Sequence, residues 1–316
     1  MSEKFNGKVL ALCGGVGGAK LAWGLAKTLL PEQLTIVVNT GDDFEHLGLH
    51  ISPDLDTVMY TLAGINNREL GWGLAGESWQ CMQALETLGG ETWFRLGDKD
   101  IATHLYRTQQ LAQGKTLTAV TAYLFERLGI QHRVLPMSDN AVRTLVDTHE
   151  GELAFQDYFV RQQCKPAVSN VRFAGAETAT LSPEVLLALN DPDLRAVIIC
   201  PSNPLLSIAP ILAIPGMRDS LKNIAAKIIA VSPLIGGQSV KGPTAKMMQE
   251  MGIATNSSAI ANFYSGLLDI LVLDERDASE AEKIIAVGVS VSIFKTLMKV
   301  DIDKVALASN LLHLVR

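Results

Sequence analysis

The chain of 316 residues has only four cysteines, Cys13, Cys81, Cys164 and Cys200, and no two of them make a CxxC pair. That spacing excludes the usual zinc sites and a disulfide framework. Scattered thiols fit a reducing compartment, so a cytoplasmic protein is expected. No run of about 18 apolar residues occurs, so no membrane-spanning helix is expected. The richest candidate, SIAPILAIPGM, is interrupted by Pro210 and Pro215. The opening MSEKFNGKVLALCGG carries an acid and only a short apolar run, a poor match to a signal peptide. Basic charge is not in excess either. A net charge of −6 argues against nucleic acid as a partner, because a phosphate backbone calls for a basic face. Small anionic ligands remain open, since they need only local donors.

Hydrophobic residues make up 48% of the chain and charged residues 19%, enough for a sizeable core. Runs at 8–12, 34–38, 196–199, 227–231 and 270–273, apolar apart from Lys8, Thr35 and Lys227, read as buried strands. Helical periodicity is expected over 19–30, 56–63, 78–88, 101–113, 117–128 and 301–315, with short strands at 133–135, 142–147 and 152–155. Strands alternating with helices predict an α/β fold: a Rossmann-like parallel sheet with helices on both faces. One domain over 1–316 is expected, with a helix-rich insertion at roughly 60–130. No internal repeat or low-complexity linker divides it.

The segment CGGVGGAKLAWGL follows the first strand. A Walker A loop needs GxxxxGK[ST], but here Gly18 is followed by Ala19, Lys20 and Leu21. A dinucleotide fingerprint needs GxGxxG; Gly15 and Gly17 fit, and Lys20 occupies the third glycine position. The next strand ends at Asn39 where that fingerprint wants an acid. Both standard readings weaken. Four glycines in five residues still exceed what a plain turn requires, and backbone N–H groups at a helix start bind anions.

The segment NTGDDFEHLGLHISPDLDT brings Asp42, Asp43, Glu45, Asp54 and Asp56 after the second strand, with His46 and His50. Acids in a first helical turn complement the helix dipole. Beside a phosphate loop they also suit a hard cation such as magnesium, which prefers oxygen ligands. RLGDKDIATHLYRT places Asp98 and Lys99 at a helix start, then His104 and Arg107 on one face. VLPMSDN ends a strand with Met137, Ser138 and Asp139, which a capping turn explains as well as a site does. CPSNP and VSPLIGGQSVKGP follow two central strands and offer Ser202, Asn203, Gly236 and Lys241.

Together GGVGGAKL, NTGDD, ISPDLDTVMY, LGDKDIATH, LPMSDN, PSNP, VSPLIGG and LDERD, in this order from Gly14 to Asp277, resemble the 2-phospho-L-lactate transferase family (CofD). The resemblance implies a magnesium-dependent transferase. It would move a phospho-three-carbon-acid group (2-phospho-L-lactate, enolpyruvyl phosphate or 3-phosphoglycerate) from a guanosine diphosphate-linked donor to the deazaflavin Fo. GMP would leave, and the product would be a coenzyme F(420) precursor. A homodimer is implied as well. On this reading Gly15, Gly17, Gly18, Lys20, Ser202, Asn203, Gly236 and Lys241 would hold the guanosine diphosphate part. Asp43, Asp54 and Asp56 would hold magnesium or orient the attacking hydroxyl, with Asp54, Asp56 and Lys99 as catalytic candidates. Lys99, Met137, Ser138 and Asp139 would line the deazaflavin side, with His104 a lesser candidate. The competing reading is a non-enzymatic nucleotide- or sugar-nucleotide-binding regulator related to gluconeogenesis factors, which share the glycine-rich opening. PDLDT, LGDKDIATH and LPMSDN favour the transferase, because a sensor would not need a second-substrate side.

Overall fold

In the computed structural model, which describes residues 5–315, the first strand β1 (Lys8–Cys13) is buried along its length after Lys8. The leader reading above draws in part on residues 1–4, which lie outside the described residues. Leu10 and Leu12 point into one core, and Val9, Ala11 and Cys13 into another. Helix α1 (Gly15–Thr28) leads to β2 (Leu34–Val38), which pairs in parallel with β1, Val9 opposite Leu34 through Cys13 opposite Val38. Seven parallel strands form the main sheet. Their order is Ser290–Phe294, Ile270–Asp274, Lys227–Val231, Leu194–Ile199, β1, β2, Arg133–Pro136.

The two-residue period of the strands explains why they read as largely apolar runs, since each face is covered. One face packs against α1, helix α2 (Pro53–Ala63), the Leu117–Arg127 helix and the Asp301–His313 helix. The other packs against helical segments at Pro183–Leu189, Pro204–Ala213, Thr244–Glu250, Ser257–Phe263 and Ala281–Ala286. The expected α/β architecture with helices on both faces is what the chain adopts. Gln80–Thr87, Asp98–Ala112 and Leu117–Arg127 form the expected helix-rich stretch.

Among the differences from the sequence expectation, three bear on the sheets and the first helix. Helix α1 begins at Gly15 rather than Ala19, because the glycines continue into the first turn where apolar periodicity gives no signal. An antiparallel sheet (Gly151–Ala154, Arg143–Thr148, Val168–Ala174) gains a third strand that is largely exposed and carries no buried run. Ser290–Phe294 is an edge strand of the main sheet, and its half-exposed SVSIF pattern hides it in the sequence.

The strand order sets the site. Chain-order neighbours run outward from β1 on one side, and the later strands run outward from Leu194–Ile199 on the other. The direction reverses between β1 and Leu194–Ile199. Ligands of open α/β sheets bind beyond the carboxyl ends of the strands at such a reversal. The glycine loop after Cys13 and the PSNP loop after Cys200 flank it.

Candidate active site

A cavity of about 710 Å³ opens at this reversal, within the range of small-molecule sites. The glycine loop forms its floor. A Cβ on Gly17 would overlap the Pro201 carbonyl oxygen, and one on Gly18 would press on Ser202 and Cys13. Gly14 is likewise filled in by Asp54 and Ser207. Gly15 differs: it has open space and a φ of +64°, a left-handed conformation suited to glycine. Three of the four glycines therefore let the two loops close on each other, and the fourth turns the chain into α1.

The first turn of α1 leaves backbone donors without intrahelical partners. The Gly14 N–H donates to Ser202 Oγ at 3.2 Å and the Gly15 N–H to Asp54 Oδ1 at 2.7 Å. Val16 and Gly17 follow, and both line the cavity. Lys20 reaches it one turn further on; its half-buried Nζ donates to the Met298 carbonyl at 3.0 Å. Burial, with Lys241 and Lys304 nearby, lowers its pKa. Lys241 enters from the opposite loop and donates to the Leu70 carbonyl at 3.1 Å. Ser202 and Asn203 line the same end. Asn203 Oδ1 accepts the N–H groups of Leu205 and Leu206, so its Nδ2 is fixed as the remaining donor.

The acids are held by a second set of contacts. A short hairpin, Phe44–His46 with Leu49–Ile51, folds Ser52 back onto Asp43. Ser52 Oγ donates to Asp43 Oδ2 at 2.7 Å, and His50 Nε2 lies 3.2 Å from the same atom. Asp54, in the first turn of α2, accepts Asn39 Nδ2 at 3.0 Å. Asn39 thus supports a carboxylate from the place where a ribose-binding acid would stand. Burial raises the Asp54 carboxyl to about 6 against the lowering bonds from Asn39 and Gly15. Burial and the nearby Asp54 push Asp42 well above the usual carboxylate range. Asp42 Oδ1 and Asp43 Oδ1 are buried with no hydrogen-bond partner.

Those two unpartnered oxygens, beside Asp54, could supply ligands to a hard cation. No three His, Cys, Asp or Glu side chains among the described residues form a complete metal cage. A magnesium ion held through one or two carboxylates, with substrate phosphates and water completing the shell, needs no such cage.

Asp56 is engaged differently. Both of its oxygens meet the guanidinium of Arg107, with Nη1 to Oδ2 at 3.1 Å. Burial raises its pKa, opposed by Arg107 and His104. The structure therefore separates Asp56 from Asp43 and Asp54. His104 lies between: its Nδ1 is 3.2 Å from Arg107 Nη1. Guanidinium can only donate, so Nδ1 is the acceptor in that contact. Nε2 faces Asp100 Oδ1 at 3.4 Å, which also accepts Tyr60 Oη at 2.5 Å. Asp54, Asp56, Tyr60, Asp100 and His104 all line the cavity.

Other expected site residues stand outside that lining. Lys99 is exposed, with Nζ bonded to the carbonyls of Ala75 and Gly76 at 3.2 and 2.8 Å. Met137 is buried, and Ser138 Oγ donates to the Thr180 carbonyl at 2.7 Å. Asp139 Oδ1 accepts the Thr118 N–H at 2.7 Å, near the start of the Leu117–Arg127 helix. Gly236 and Gly237, with φ of +60° and +71°, form the tight turn of the Leu234–Ile235/Gln238–Ser239 hairpin, and the Gly236 N–H donates to Asp277.

The cavity lining is also rich in aromatic rings, which the sequence reading missed: Trp72, Trp93, Phe94, Phe155 and Phe159 line it with Tyr60. Phe155 and Phe159 stack at 5.3 Å, and Arg161 lies over the Trp93 ring at 4.6 Å. The only signal in the sequence was the TWF cluster before LGDKD, which has no periodicity.

The family model described as "2-phospho-L-lactate transferase CofD" matches residues 9–312. The chain is 39% identical over 290 residues to the 2-phospho-L-lactate transferase of Methanosarcina mazei, covering 92% of this chain and 94% of that one. It is also 39% identical over 305 residues to the phosphoenolpyruvate transferase of Streptomyces griseus, covering 95% of each. Two crystal structures of a Bacillus halodurans protein, a member of the UPF0052 family, share the fold at 14% and 15% identity. Their TM-scores are 0.60 and 0.65, and they cover 92% and 98% of this chain and 93% and 99% of theirs. No helix among the described residues is long and apolar enough to cross a membrane. The chain belongs to the 2-phospho-L-lactate transferase CofD family, and it is a transferase.

Proposed function

We propose that the chain transfers a phospho-three-carbon-acid group from a guanosine diphosphate-linked donor to the deazaflavin Fo. GMP is released and a precursor of coenzyme F(420) is formed. The protein acts in the cytoplasm as a homodimer. The relatives named 2-phospho-L-lactate transferase and phosphoenolpyruvate transferase match to the same degree, so the reading names the class of acid and not one member. The observation that carries it is the make-up of one cavity: its lining brings together the first turn of α1, Lys20 and Lys241, the carboxylates Asp42 and Asp54, and several aromatic rings.

The donor diphosphate lies on the first turn of α1, against Lys20, Lys241, Ser202 and Asn203. The planar deazaflavin packs on Trp93, Phe94, Phe155 and Phe159, a geometry in which ring stacking contributes. Its ribityl hydroxyl then faces Asp54. The hydroxyl oxygen bonds to the phosphorus that carries the three-carbon acid, and the bond from that phosphorus to the GMP phosphate oxygen breaks. GMP leaves with the electron pair. Asp54 takes the hydroxyl proton; a carboxyl near 6 is suited to a base at neutral pH. Asp42 and Asp43 would hold magnesium, which when bound neutralises diphosphate charge and supports the leaving group. Asp56 stays paired with Arg107 and fixes α2 against the Asp98–Ala112 helix.

Fluorescence titration with Fo tests the reading. Saturable binding is expected, tightened by guanosine diphosphate and magnesium. Absence of binding under every condition rejects it.

A further inference from the structure

Gln163 and Cys164 adopt φ of +52° and +57°, two successive left-handed residues that are not glycine. L side chains rarely adopt this conformation, and a pair of them in sequence is strained. They close a wide turn, Asp157–Arg161, on the cavity wall. The Gln162 N–H donates to Asp157 O at 2.9 Å and the Cys164 N–H to Tyr158 O at 2.9 Å, so the turn is pinned in this shape.

Its effect is to bring Gln163 to the cavity beside Phe159 and Val160. The other glutamine in the lining, Gln156, donates to the Asp42 carbonyl at 3.4 Å. Gln163 is exposed at the rim of the cavity, and no hydrogen bond ties its amide to another described residue. A non-glycine residue held in a left-handed conformation at the edge of an aromatic-lined cavity is an outlier that points to function, and its amide is free to meet a ligand. A primary amide sets one donor beside one acceptor. The complementary group is a ring C=O beside a ring N–H.

We propose that Gln163 reads the lactam or imide edge of a heterocycle bound in this cavity. The inference rests on the transferase reading above, under which two ligands carry such an edge: the deazaflavin ring and guanine. Gln163 is then a specificity-determining residue that favours oxo-substituted heterocycles over amino-substituted ones.

Gln163→Gly tests it, because glycine keeps the left-handed turn without strain. Loss of two neutral hydrogen bonds should raise KM for one substrate by about 10- to 100-fold with little change in kcat. The thermal midpoint should not fall. A rise confined to the acceptor assigns the edge to the deazaflavin; a rise confined to the donor assigns it to guanine. Gln163→Asn, which retains an amide and tolerates the conformation, should recover part of the affinity. Deazaflavin methylated at the imide nitrogen should bind wild type as weakly as Fo binds the glycine variant, if the acceptor is read. Unchanged KM for both substrates in Gln163→Gly overturns the inference and leaves the transferase reading intact. Failure of the wild type to bind either substrate overturns both.

Discussion

Asp54 Oδ1 accepts the backbone N–H of Gly15 at 2.7 Å, so a carboxylate occupies the start of the helix that the glycine loop opens. The same side chain takes the Asn39 amide on its other oxygen. Helix and amide favour the charged form, and burial opposes it more strongly, giving a carboxyl near 6. Asp54→Asn should lower turnover about 100-fold or more, as removal of a transition-state group does.

The same substitution has a stability signature. The unfolded carboxyl ionises near 3.8 and the folded one near 6. Between those values the native state binds more protons, so stability falls as pH rises through the window and stays reduced above it. The deficit is on the order of 2–3 kcal/mol at pH 7. Asp54→Asn should flatten the loss between about pH 4 and 6 while keeping the midpoint at pH 7 at or above wild type. Denaturation across that range measures it.

Arg107 and Asp56 form a buried pair that joins the Asp98–Ala112 helix to α2. Arg107→Leu should destabilise by about 3–5 kcal/mol, because Asp56 is left buried without a partner. Arg107→Leu with Asp56→Leu should recover much of that loss, which a double-mutant cycle by urea unfolding would show.

The glycines of the loop should separate by cause. Gly17→Ala sets a Cβ against the Pro201 carbonyl, so donor affinity and stability should fall together. Gly15→Ala meets no atom and should cost about 1 kcal/mol through its positive φ alone. Donor titration alongside thermal melting distinguishes them.

The cationic and the aromatic parts of the cavity lining should show separate KM effects. Lys20→Ala should raise the donor KM about tenfold and leave the acceptor KM near wild type. Trp93→Ala should do the reverse, by a factor of about 10. Steady-state kinetics with each substrate varied in turn checks both.

Much of this site was legible in the sequence because its elements declare themselves locally. Strands such as Lys227–Val231 are apolar without a break after Lys227, and PDLDT opens with the proline that starts α2. The glycine loop read correctly as a strand–helix junction, although its glycines chiefly serve loop-to-loop packing. What was hidden depends on where side chains turn after folding. GDKD marks a helix start, but Lys99 reaches outward to Ala75 and Gly76. Asp139 tethers the start of a neighbouring helix, and Gly236 makes a hairpin turn, roles that share their residue types with binding loops. The aromatic wall gathers Trp72, Trp93, Phe155 and Phe159 from separate segments with no common period, so only the fold assembles it.

The most direct measurement of the central claim is mass spectrometry of products formed from Fo, magnesium and guanosine diphosphate-linked phospholactate, enolpyruvyl phosphate or phosphoglycerate. The account predicts GMP and an Fo derivative heavier by the phospho-acid from at least one donor, lost in Asp54→Asn. Fo recovered unchanged with every donor, or the same product formed by Asp54→Asn at the wild-type rate, would contradict it.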